Sequence, residues 1–158
     1  MAIVQAQEHL LLMRRRESES DHWSGHWCFP GGRRHAEDAV LLATALREMR
    51  EECGVDLQRE SLIAELPVGR AGSPERYVLV KPFVLSMPAP LPIVPHEAEM
   101  AEARWVPFEH LRDLPRHAPR AVPGQPVDRL VASFDLPPLP LWGFTYRLAC
   151  EWLGVPLS

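Results

Sequence analysis

Residues 32–55 read GRRHAEDAVLLATALREMREECGV, and the fold turns on this stretch. From Asp38 to Cys53 strong helix formers dominate, Asp38 stands where a capping side chain belongs, and Gly54 can take the left-handed conformation that closes a helix. The spacing therefore predicts a helix over 38–53. At 3.6 residues per turn, Leu42, Leu46, Met49 and Cys53 form one apolar stripe, while Glu48, Glu51 and Glu52 fall together on a separate arc. Like charges at these spacings repel by a few tenths of a kcal/mol per pair, and near a helix C-terminus each opposes the macrodipole by roughly 0.3 to 1 kcal/mol. Stability alone does not select such an arc. Its plain reading is a solvated face paired with Arg47 and Arg50; its functional reading is a set of hard oxygen ligands.

Just upstream, Phe29-Pro30-Gly31-Gly32 permits a tight backbone path that side chains would block. A carboxylate cluster facing such a loop suits a cation like Mg²⁺, which takes oxygen ligands, keeps several waters and works with substrate phosphates. Outward from this unit, residues 2–6 and 10–14 read as a strand hairpin turning at Gln7-Glu8-His9. Residues 62–66, 77–85 and 103–106 read as further strands, residues 108–114 as a short helix after Pro107, and residues 142–153 as a terminal helix. That helix presents Leu141, Thr145, Leu148 and Trp152 on one face and stops at Gly154 and Pro156. Twelve of the 17 prolines lie between Pro88 and Pro140, so that half is expected to be loop-rich.

A chain of 158 residues that is 46% apolar suits a single domain, residues 1–158, with a real core. No apolar run approaches a membrane span, and Met1 begins a strand-like segment without a charged leader, so neither membrane insertion nor Sec export is expected. Three widely spaced cysteines, Cys28, Cys53 and Cys150, suggest neither a disulfide framework nor a zinc ribbon, and a cytoplasmic location is the default. A net charge of −4 disfavours nucleic acid as partner. Sixteen of the 17 basic residues are Arg, which reflects either bidentate phosphate recognition or a GC-rich genome.

Loop and helix together, ending in REMREECGV, resemble the Nudix hydrolase family. The usual Nudix box has Glu eight residues before its Arg, whereas Asp38 lies nine before Arg47. This spacing, Gly25-HWC-Phe29-Pro30-Gly31-Gly32 and the late Trp142-Gly143-Phe144-Thr145 are similar to the coenzyme A pyrophosphatase branch. Leu12 and Arg16 fit that branch's upstream signature, but it has a small residue where Glu17 stands and a basic one where Asp21 stands.

The resemblance implies an α/β fold, a Nudix-type α/β/α sandwich with a mixed β-sheet. It implies hydrolysis of a diphosphate linkage in a small nucleotide derivative, with coenzyme A or its derivatives as substrate and ADP-ribose, other nucleoside diphosphate derivatives or nucleoside triphosphates as the alternatives. Mg²⁺ or Mn²⁺ would be held by Glu48, Glu52, Glu51 and the Gly32 carbonyl, with Arg47 orienting the carboxylates. Water would attack phosphorus directly, and either Glu51 or Glu99 would take its proton. Glu99, among Glu97, Glu99 and Glu102, is otherwise an exposed acidic turn. A nucleotide-binding module without activity is the rival, for which loss of a box carboxylate would be the sign; all three are present.

His22-x3-His26 with Cys28 and His35 has the composition of a zinc site but lacks a second ligand pair at zinc spacing. Trp23 and Trp27 either stack on substrate or anchor the loop by packing, and packing is the expectation. Ser24-Gly25 lacks a nucleophile-elbow context.

Overall fold

The computed structural model describes residues 1–157 except 20, 22 and 127. In chain order its strands are β1 (Ala2–Ala6), β2 (His9–Arg15), β3 (Trp27–Cys28), β4 (Leu62–Glu65), β5 (Gly69–Gly72), β6 (Tyr77–Val80), β7 (Phe83–Met87), β8 (Met100–Pro107), β9 (His117–Arg120), β10 (Val131–Phe134) and β11 (Leu141–Trp142). The helices are α1 (Leu41–Cys53), α2 (Phe108–Arg112) and α3 (Gly143–Leu153).

The central sheet runs β3-β2-β1-β7-β4, and β8 pairs with β2 along its whole length. β1 and β7 are parallel and the other pairs antiparallel, so the sheet is mixed, as expected. Side chains alternate across it. Val4, Leu11 and Met13 pack with Leu42, Ala45 and Met49 of α1 on one face. Ile3, Leu10 and Leu12 pack with Phe108 and Leu111 of α2 and Leu148 and Leu153 of α3 on the other. Helices thus cover both faces in an α/β/α sandwich. No helix among the described residues is long and apolar enough to cross a membrane.

Several boundaries differ from expectation. The first helix starts at Leu41, not Asp38, because Val40 is the extended residue before it and no side chain caps it. Gly54 does close it, at φ 67°. The single strand expected over 77–85 breaks at Lys81-Pro82: Pro82 has no N–H for a ladder, and the Lys81 ammonium turns to the Leu66 carbonyl and Glu65. Its halves diverge, β6 into a ribbon with β5 and β7 into the central sheet beside β1. The helix expected over 108–114 ends at Arg112, and a 3₁₀ turn comes next at Leu114–Arg116. The proline-rich half holds more order than expected, since β8 finds a full-length partner in β2 and β9, β10 and β11 form their own sheet.

Candidate active site

α1 carries its carboxylates to the loop from Phe29 to Gly32. The apolar stripe of the helix is pinned by Leu42, Met49 and Cys53, which turns Glu48 and Glu52 inward beside it. Glu48 is 8% exposed and Glu52 3%, rare burial for ionisable side chains. The Gly31 N–H donates to Glu52 Oε2 at 2.9 Å. Gly32 lies so close to Glu48 that a β-carbon there would stand 2.2 Å from its Oε1, so a larger residue would push the Glu48 carboxylate aside. Burial pushes the Glu52 carboxyl up to about 8, and the charges of Glu48 and Glu99 act in the same direction.

Arg47 organises the rim. Its Nη1 reaches Glu48 Oε1 at 2.9 Å and Glu51 Oε2 at 2.8 Å, while Nε and Nη2 meet the two oxygens of Asp38 at 3.3 and 3.2 Å. Asp38 also accepts from the His35 N–H and the Thr44 hydroxyl, each at 2.9 Å. Arg47, with these other donors, holds the Asp38 carboxyl well below the usual carboxylate range. Asp38 therefore latches Arg47 and does not cap the helix. The nine-residue spacing to Arg47 marks Asp38 as part of the motif but does not announce this contact, and nothing in the sequence singles out Thr44. Glu51, with its side chain 51% exposed, stays on the rim with Arg47 and does not enter the buried pair.

Glu99 comes from the turn just before β8. The His96 N–H donates to the main-chain oxygen of Glu52 at 2.9 Å, fastening residues 96–99 to the end of α1. Glu99 lines a cavity of about 180 Å³ with Arg15, Arg16, Glu17 and Asp21. The structure thus gathers Gly32, Arg47, Glu48, Glu51, Glu52 and Glu99 at one end of α1.

A NUDIX domain pattern matches residues 1–125. The chain belongs to the NUDIX domain family. It is similar to the Nudix hydrolase NudL of Photorhabdus laumondii, 34% identical over 106 residues that cover 66% of this chain and 54% of that protein. A protein of Schizosaccharomyces pombe is 32% identical over 108 residues, 65% of this chain and 33% of its own length. The chain spans between a third and about half the length of these relatives. Among solved structures, the MutT NUDIX hydrolase of Burkholderia pseudomallei superposes with a TM-score of 0.62 at 19% identity, over 95% of this chain and 92% of that one, a likeness of fold.

Among the described residues of this NUDIX domain, no three His, Cys, Asp or Glu side chains converge into a closed cation cage. A Mg²⁺-like ion does not need one, because it retains waters and recruits substrate phosphates. The donors fit such an ion: two buried carboxylates four residues apart on α1, of which Glu52 is pushed up by burial and by the charge of Glu48, both of which a bound cation would offset. The other motifs separate by role. Trp27 is 3% exposed and its indole donates to the Leu136 and Leu139 carbonyls at 3.1 and 2.9 Å, the expected packing anchor. Trp23 is 43% exposed. His22 lies outside the described residues, and His26 packs edge-on against Trp142 with centroids 5.0 Å apart. Phe144 seats on Gly69, leaving no room there for a β-carbon.

Asp21, the charge reversal of the upstream segment, is not a free anion. It accepts from Arg15 Nε at 2.6 Å and from the Trp23 N–H at 3.0 Å. Burial works to raise its carboxyl, but these two donors outweigh it and hold the group below its ordinary value.

Proposed function

We propose that this single domain, residues 1–158, hydrolyses the diphosphate linkage of a nucleoside diphosphate derivative with a divalent metal, and that coenzyme A or one of its derivatives is the substrate. The observation that carries the chemistry is the pair Glu48 and Glu52, buried against the glycines of the Phe29 to Gly32 loop. Glu48 and Glu52 would hold Mg²⁺ or Mn²⁺ with the Gly32 carbonyl, and Glu51 would join from the rim. When bound, such an ion neutralises phosphate charge and makes water more acidic.

Arg47, latched by Asp38, keeps Glu48 and Glu51 oriented. Glu99 is the base we assign to the attacking water: Glu51 is engaged by Arg47, whereas Glu99 lines a cavity and its charge is felt by Glu52. Water adds to one phosphorus, its proton goes to Glu99, and the bridging oxygen leaves with the other phosphate. No covalent enzyme intermediate is involved. Coenzyme A is favoured by the FPGG loop, the nine-residue spacing from Asp38 to Arg47 and the Trp142-Gly143-Phe144-Thr145 segment.

A substrate panel with product identification tests both levels. Coenzyme A should give 4′-phosphopantetheine and adenosine 3′,5′-bisphosphate, with ¹⁸O from water in one of them. Much higher kcat/KM on ADP-ribose or a nucleoside triphosphate would overturn the substrate and leave the chemistry standing. Binding of nucleotides without turnover of any would overturn the chemistry.

A further inference from the structure

We propose that Arg16 is a positioning residue that sets Glu99 against the buried carboxylates; this rests on the reading of Glu99 as base. The pairing of β2 with β8 is irregular just where it nears the site. Arg14 opposes Glu102 but Arg15 opposes Met100, leaving Ala101 as an extra residue on β8. Such a bulge bends a strand and re-aims the side chains next to it. Beyond it the chain turns tightly, the His96 carbonyl accepting from both Glu99 and Met100 N–H groups at 3.0 and 2.9 Å.

This turn is fastened on two sides. The His96 N–H ties it to the Glu52 main-chain oxygen, and Arg16 ties it to the end of β2. The Arg16 main-chain N–H donates to the Glu99 carbonyl at 2.8 Å, a bond that almost any residue would make. Its side chain adds a second, Nη1 to the Glu97 carbonyl at 2.6 Å. The peptide groups 97–98 and 99–100, which bracket residues 98 and 99, are thereby fixed, and the direction of the Glu99 side chain with them. Arg16 is itself exposed, so the core does not depend on its side chain.

Arg16 also lines both cavities of this wall, about 420 and 180 Å³, so direct phosphate binding is the competing role. The two roles differ chemically. A carbonyl needs a single N–H donor, which Lys can supply, whereas bidentate grip on a phosphate needs the planar guanidinium.

The test compares wild type, Arg16→Ala, Arg16→Lys, Glu99→Gln and the double variant Arg16→Ala/Glu99→Gln, by kinetics on the best panel substrate and by amide hydrogen exchange without substrate. Arg16→Ala should lower kcat by about tenfold or less with little change in KM, the range expected for one hydrogen bond. Arg16→Lys should restore most of the loss. In the Glu99→Gln background Arg16→Ala should cost nothing further. Exchange at residues 97–100 should quicken in Arg16→Ala and return to the wild-type rate in Arg16→Lys. Unchanged exchange overturns the proposal whatever the activity, as does a raised KM that Lys fails to rescue or a full additional loss in the double variant. Quickened exchange together with no hydrolysis of any diphosphate would leave the clamp standing and instead sink the proposed function.

Discussion

Two regions meet at the candidate site and are built differently. Around α1, the bonds made by the side chains of Glu48, Glu52 and Arg47 come from residues 31–52: Gly31, Arg33, Asp38 and the glutamates themselves. The facing wall is assembled across the fold, Arg14 to Glu102 and Arg16 to Glu97, pairs separated by 88 and 81 residues. The first region has a buried pair of carboxylates held by local side-chain bonds; the second is more exposed and exists only once β2 and β8 have paired. On the proposed function, the metal ligands would come from a short local unit, whereas the base Glu99 and the groups that meet substrate would come from a wall that distant segments must build together.

Charge removal within the local unit should have the largest effect. Glu52→Gln and Glu48→Gln should each lower turnover by orders of magnitude with the fold intact, since an amide cannot supply the charge a cation requires. Near wild-type turnover at saturating Mg²⁺ would remove that residue from the ligand set. EDTA should abolish activity and added metal should restore it; full activity after exhaustive chelation would break the comparison at its root.

Next comes the pH dependence of the metal-free protein. Folded, the Glu52 carboxyl keeps its proton up to about 8, against an ordinary value of 4.5. Unfolding between these values releases a proton, so this stabilising contribution is complete below pH 4.5 and is lost as pH rises through about 8. Melting temperature in EDTA should fall over this window by more in wild type than in Glu52→Gln, and Mg²⁺ should restore it at the alkaline end by binding the ionised form. Equal slopes in the two proteins would show that Glu52 is not the group responsible.

The same division explains what is legible in the sequence. The helix, its buried stripe and its Gly54 stop can be read there because they depend on residues within a few turns of one another. Asp38 reads as a cap, wrongly: composition identifies a residue suited to capping, but the latch to Arg47 and Thr44 forms only when the loop over 33–39 folds back. The Tyr77 to Leu85 run hides a break because both halves are apolar, and the signal is the single Pro82. In the proline-rich half, β8 is ordered by β2, a partner more than eighty residues away that no local pattern announces. Glu51 shares a helical arc with Glu48 and Glu52, yet only the latter two are buried, against the loop from Phe29 to Gly32.

The latch supplies a smaller effect. Asp38→Asn should lower kcat by about 10- to 100-fold, the usual cost of removing a group that orients a metal ligand. The loss should be smaller than for Glu52→Gln, because the ligands themselves remain. Retained activity in Asp38→Asn would mean that Glu48 and Glu51 hold Arg47 in place unaided.

Asp21 tests the wall, and the expected change is the smallest. Were its carboxylate free, it would repel a phosphomonoester placed in this cavity; instead it occupies Arg15, so on the proposed function it would withhold a guanidinium from substrate. Asp21→Asn should release Arg15 and raise kcat/KM for coenzyme A relative to dephospho-coenzyme A, which lacks the 3′-phosphate. Asp21→Arg, which also adds a positive charge, should move the ratio further in the same direction. The pair is only partly buried, so the gain should stay at about 1 kcal/mol or less, a factor of a few. It should shrink as salt is raised, whereas the Glu52→Gln defect should not, because Glu52 is buried where mobile ions screen poorly. A ratio unmoved in both Asp21 variants would place the 3′-phosphate outside this cavity and leave Asp21 a structural partner of Arg15 alone.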